Sequence, residues 1–490
     1  MPDAAHVPPQ RDSVLEGLAG NPALPAGMVR RFLEYRKGMG GVAMRPDLSE
    51  DMIAAIIAID DRWLTHALAC NPVLPHAFRM RLAEHPDAAI RRALASRSVA
   101  FPRALYERLA GDEDPKVREY LAGNEHVPED LLARLAEDPH PAVRAKLAQW
   151  FTQAPEPVRQ RLLTDPDERV RQAACSTYYA RTPHPVPPAD LLPALLSDPA
   201  TRAGAIRHCA LDADTADRLA ADPDEQVRRQ LADHPDLPAR LRAVLAADPD
   251  TTVALGIFAR KDTPEALRAE IHARIPSEPL SAARFEDLDE GDDAAFERRI
   301  SDEMARIEFW SMRLPWVTAD PLPHVDSPYA CFRASAAMGD DLPEAAVTRL
   351  LNDAESSVRT MMAQHARDRI DPATAERIDR GYRPGKRTDW RPADDFPLPP
   401  EALRRLAADP EPRMRELAPR DPDLPEDLLR RLAADPNEAV RAVTATHGRL
   451  PTDVLVGLLD DPSAWVAKTA AGNPNLPVAQ MDRILSLAGL

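Results

Sequence analysis

Cysteine is scarce in this chain. The 490 residues hold four, Cys70, Cys175, Cys209 and Cys331, far apart and without a CxxC pair. That argues against a disulfide frame and points to reduced thiols in a cytoplasm. Cys175, His184, His208 and Cys209 stand close enough in sequence to converge across two units, but their spacing matches no closed zinc site. Long apolar runs are missing too: the longest, Met52 to Ile59, falls far short of the ~20 residues a membrane helix needs. The opening MPDAAHVPPQRDS shows no basic-then-apolar signal peptide, so a cytoplasmic protein without a membrane partner is expected. Positive charge is in deficit, with 62 Lys and Arg against 79 Asp and Glu, a net charge of −17. A general nucleic-acid binder normally has the opposite sign; an acidic surface favours solubility and basic partners. Aromatic residues make up only 5%, which fits helices packed through small side chains. HExxH, GxSxG and the Rossmann fingerprint are all absent. No catalytic residue, cofactor or metal is assigned.

Proline, by contrast, is abundant, 51 residues against 18 glycines, and its placement is regular. The clearest unit is Asp421 to His447, DPDLPEDLLRRLAADPNEAVRAVTATH. Pro425 suits the first position of a helix, with Glu426 and Asp427 in its first turn and Leu428, Leu429 and Leu432 along one side. Asp435 is expected to cap a second helix that begins at Pro436 and buries Ala439, Val440, Ala442 and Val443. Helices of about 8–10 residues do not stand alone in water, so neighbouring units must stack.

Leu-Pro or a close equivalent recurs at 24, 74, 101, 127, 237, 342, 398, 424, 450 and 476, with a degenerate copy at Leu48-Ser49; the last four are 26 apart, and the intervals from 24 to 127 lie between 24 and 27. Asp-Pro keeps step with it at 114, 138, 165, 198, 222, 248, 409, 435 and 461. Together they predict an all-α solenoid of about thirteen short two-helix repeats. His85, His140 and His234 sit where other units carry Asp or Asn.

The pattern NPxLPxxLLxxLAxDPxxxVRxxLAxNP resembles the leucine-rich repeat variant, a HEAT-like repeat found in long actinobacterial proteins, over about four-fifths of the chain. The resemblance implies a right-handed superhelix of paired short helices, one of them often 3₁₀. Some members of that family hold an iron–sulfur cluster in a cysteine-rich N-terminal segment, which this chain lacks.

The expected division is residues 1–70, capping repeats with a glycine loop; 71–275, repeat array; 276–326, acidic and aromatic insertion; 327–378, repeats; 379–397, basic aromatic loop; 398–490, C-terminal repeats and cap. Departures from a regular pattern are where function is sought. The glycines at 38, 40 and 41 beside Lys37 do not complete a phosphate loop. In the insertion, EDLDEGDD at 286–293 leads to Phe309, Trp310 and Trp316; these rings either pack on the array or anchor a basic partner. The loop offers Tyr382, Arg383, Lys386, Arg387, Trp390 and Arg391, a mixture able to hold anions and stack rings. A further slot repeats in nearly every unit: Arg91, Arg118, Arg144, Arg171, Arg228, Arg359, Arg415 and Arg441 follow an apolar residue. They form either an internal ladder with the Asp-Pro carboxylates or a basic stripe.

The function expected is a non-enzymatic scaffold for a protein or peptide, using the concave face and the two aromatic insertions. The alternatives are a nucleic-acid binder resembling the HEAT-like DNA glycosylases, and an enzyme or small-molecule binder with a pocket at an insertion.

Overall fold

The structure, a computed structural model, describes residues 8–33, 40–97, 99–175, 184–276, 293–382 and 391–490; in the helix that starts at Asp293 it describes side chains from Arg299 on. Among the described residues there are helices and no strand. Most helices run seven to ten residues and pack on their neighbours in the chain, as an all-α repeat array does. Short 3₁₀ turns stand at Leu322–His324, Arg367–Arg369, Ala418–Arg420 and Leu458–Asp460. None of the described helices is long and apolar enough to cross a membrane.

The unit at 421–447 shows why the sequence folds this way. Its helices are Glu426–Ala433 and Glu438–Ala445. The first buries Leu429, Leu432 and Ala433, the second Ala439, Val440, Ala442 and Ala445. Each large side chain so buried contributes about 1.5–3 kcal/mol, which is how helices too short for water survive in a stack.

The caps differ from the sequence expectation by one and two positions. Pro425 is the residue before the helix, and its fixed φ of −55° turns the chain into it. Asn437, not Asp435, caps the second helix, accepting from the Ala439 N–H. Asp435 instead accepts from the Asn437 N–H and binds Arg415 of the preceding unit at 2.7 and 2.8 Å. An Asp-Pro pair rigidly precedes a capping residue, so its carboxylate is free to reach backward.

Two ladders tie unit to unit. In the first, the arginine after the buried apolar residue donates to a carbonyl six residues back and to a carboxylate of the next unit. Arg91–Asp112, Arg144–Asp165, Arg228–Asp248, Arg333–Asp353, Arg415–Asp435 and Arg441–Asp461 all do so at 2.7–2.8 Å. Arg171 and Arg202 reach Asp198 and Asp222 in the same manner. In the second ladder, a buried Asn at the end of a unit donates to two carbonyls of the unit before. Asn71 reaches Ala43 O and Arg45 O, Asn124 reaches Ala95 O and Arg97 O, and Asn473 reaches Ala445 O and His447 O. Histidine takes this place at His234, bonded to Cys209 O, and at His447, bonded to Asp421 O. His140 caps its helix as Asp does elsewhere.

The chain forms two compact units. One comprises residues 1–131 and 397–490, the other 132–396. In the first, the helix Arg11–Ala19 lies against Ala464–Ala471, so the array's last repeat stacks on its first.

Candidate functional site

Within the second unit the repeat rule fails between residues 250 and 335, and the failure is concerted. The ladder arginine is replaced by Ala254, and the carboxylate that would receive it by Ser327. The helix Thr251–Ala259 is buried from Thr251 through Phe258. The 19-residue helix Asp293–Ser311 covers it, turning Ala305 and Phe309 inward at 0% and 2% exposure. Asp302 accepts from the Thr251 hydroxyl at 3.3 Å, and Glu308 pairs with Arg229. An aromatic cluster takes over from the ion-pair ladder. Phe258 lies edge-on to Phe309, Tyr329 and Phe332 at 5.0–5.5 Å, geometry that aromatic quadrupoles favour. Arg268 sits over Phe332 at 5.0 Å, and the Tyr329 hydroxyl donates to Glu265 at 2.7 Å. Trp316 packs on Phe332 and His324 and donates its indole N–H to Ala259 O at 2.9 Å.

These contacts place the insertion's candidate residues. Phe309 is in the core, and Trp310 and Trp316 are half-buried against it. Of the loop candidates, Arg391 is buried and paired with Asp379, itself fully buried. Asp379 stands 26 residues after Asp353, where the ladder carboxylate for Arg359 would be; with that acid engaged by Arg391, Arg359 donates to Asp353 O and Ala354 O. Tyr382 is half-buried and closes the helix Pro372–Gly381 through its backbone N–H. Arg383, Lys386, Arg387 and Trp390 lie outside the described residues, as do Lys37, Gly38 and the acidic run 286–292.

The covering helix has a second apolar side. Ile300, Met304 and Ile307, spaced i, i+4 and i+7, form a stripe facing water at 41%, 47% and 47% exposure. A helix apolar on two sides satisfies one with its own protein and leaves the other unpartnered. The sequence does carry this signal: Ile300, Met304 and Ile307 follow helical spacing on the side away from Ala305 and Phe309. In the other unit Trp63 is 79% exposed, although most repeats carry a small or charged residue just before the buried apolar position.

Two acids, Glu308 on this helix and Asp233 near it, are unusual. Asp233 is exposed to water yet closely surrounded, and burial pushes its carboxyl up in spite of Arg229, Arg260 and Arg207. Burial likewise pushes up the Glu308 carboxyl, against the pull of Arg229 and aided by Asp233. Gly256 lies directly against Asp233: a Cβ there would come within 2.9 Å of its carboxylate.

The histidine and cysteine candidates serve packing. Cys175 is buried, donates to Thr201 O at 3.4 Å, and has its thiol pushed up to about 12 by burial. His184 and His208 are both held below the ordinary histidine value, first by burial and then by nearby arginines. Among the described residues no group of three or more His, Cys, Asp or Glu is arranged to hold a metal ion. No family model matches the chain, and no curated protein matches it.

Proposed function

We propose that the protein is a non-enzymatic scaffold, of the leucine-rich-repeat-variant type and cytoplasmic, that binds a protein or peptide partner. The observation that carries this reading is the outward stripe of Ile300, Met304 and Ile307 on the insertion helix. Apolar side chains set on a rigid helix make good interface anchors, because little ordering remains to be done on binding. Phe309 serves from behind, since its packing on Phe258 fixes the helix that presents the stripe. Trp310 and Trp316 border the same packed surface, and the 379–397 loop is the second contact in this reading. The ladder arginines are engaged by carboxylates and carbonyls, which takes away the basic stripe that a nucleic-acid reading relies on.

The test compares the full-length chain with Met304→Glu/Ile307→Glu. Both positions face water, so thermal stability is expected to stay within about 0.5 kcal/mol. Capture of a stoichiometric partner, crosslinked at the insertion helix, should fall at least tenfold. Equal capture by both proteins removes the stripe from the site, and a salt-dependent shift of duplex DNA would move the reading to nucleic acid.

A further inference from the structure

The joint between the last and first repeats is built from the same parts as an ordinary repeat joint. Asn21 donates to Ala471 O at 2.8 Å and Asn473 O at 2.7 Å. Its partners correspond to those of Asn473, which reaches Ala445 O and His447 O one unit earlier. Asn21 also accepts from the Ala23 N–H, as Asn71 does from Val73 and Asn473 from Asn475. The first repeat therefore treats the last as its predecessor, though more than 440 residues separate them.

The two faces fit closely. A Cβ on Gly17 would lie 2.0 Å from Lys468 O, so the helices Arg11–Ala19 and Ala464–Ala471 touch backbone to backbone. At the rim Glu16 pairs with Lys468, and Arg31 with Asp482 at 2.6 Å. Arg11 donates to Ala488 O at 2.8 Å, Gln10 to Pro462 O at 3.0 Å, and Arg31 to Leu490 O. Both ladder residues of the Arg–Asp kind are missing: Ala467 holds the arginine slot and Pro9 the carboxylate slot.

The geometry points to a self-recognition surface whose alternative occupant is a second copy of this chain. Within the Asp421–Leu490 stretch each repeat is joined to the next by a few residues of chain; this joint, between residues more than 440 apart in sequence, rests on hydrogen bonds, ion pairs and packing alone. When it opens, each end exposes a face whose complement is the other end. A second chain carries both complements, so two chains exchange ends and satisfy both joints. The occupant is fixed by the paired residues: Asn21 needs two carbonyls at the end of a repeat helix, and Gly17 needs a bare helix backbone beside it.

The test uses charge reversal at the rim in two full-length chains with different tags. The first carries Glu16→Lys and Asp482→Arg, which makes both of its faces positive. The second carries Arg31→Glu and Lys468→Glu, which makes both of its faces negative. Alone, each chain repels itself across its own joint; together, all four rim pairs become attractive between chains. On co-expression, capture of one tag should bring down the other in a one-to-one complex of twice the monomer mass. Two differently tagged copies of the first chain should show at least tenfold less. Adding Gly17→Val to both reversed chains, which spoils the fit at Lys468, should abolish the complex. Reversed chains that associate no better than like chains, or a complex that survives Gly17→Val, would overturn the proposal.

Discussion

The second unit solves one problem in two ways, and the contrast shows what a repeat joint requires. At Arg228–Asp248, and again at Arg333–Asp353, neighbouring repeats are linked by a bidentate ion pair about one-tenth exposed. Between them, at Ala254 and Ser327, the pair vanishes from both sides at once and Phe258 gathers Phe309, Tyr329 and Phe332. An ion pair removed from water needs both members, since losing one strands the other's charge. Aromatic rings have no such condition and offer more apolar area. The insertion makes the second solution possible, because its helix brings Phe309 and shuts water out. The ladder suits identical units; the cluster suits a place where something extra must be attached.

That contrast orders the expected effects of substitution. Phe258→Ala should be the largest, about 3–5 kcal/mol in a denaturant melt, because the ring is fully buried and its neighbours cannot all collapse. A loss under about 1 kcal/mol would mean that the cluster does not replace the ladder. Asp353→Ala should cost about 2 kcal/mol, less than loss of a fully buried partner because Arg333 keeps some access to water.

The smallest effect separates the two regions by pH. Burial works against ionised Asp353, but Arg333 and the Glu355 N–H outweigh it and hold its carboxyl below the ordinary value. Its contribution is therefore present above the unfolded value near 4 and is lost as pH falls through the lower folded one. The deficit of Asp353→Ala should close only in that acidic window. Asp233 has the opposite sign, since its raised value favours the protonated folded form. Asp233→Asn should melt at or above wild type at neutral pH, with the difference shrinking as pH falls through the raised value. A deficit at neutral pH would show that its pairing with the arginines outweighs its desolvation.

Much of this was legible in the residues. Leu424-Pro425 and Asp435-Pro436 mark where helices start, and the spacing of 26 marks how units stack, because helix caps and proline act locally. The arginine slot announced itself by recurrence; deciding between ladder and stripe required seeing where Asp435 points. The same local logic placed Asp435 two residues from its true role, since Asn437 competes equally well as a cap. Phe309 and Trp316 show the limit. Their composition is the same whether they face a partner or a core, and it is Phe258 and Ala259, some fifty residues away in sequence, that draw them inward. Met304 and Phe309 share one helix with two apolar sides, and spacing alone does not say which side the core takes.

By itself, then, the sequence determined the helices, their breaks and their period, since propensity, capping and apolar spacing operate within a few residues. The tertiary structure alone decided which apolar side of 293–311 is spent, that Asp233 and Glu308 are held above their ordinary values, and that Asn21 finds its carbonyls at Ala471 and Asn473. Those outcomes depend on groups brought together from distant parts of the chain, and no local pattern records which distant group arrives.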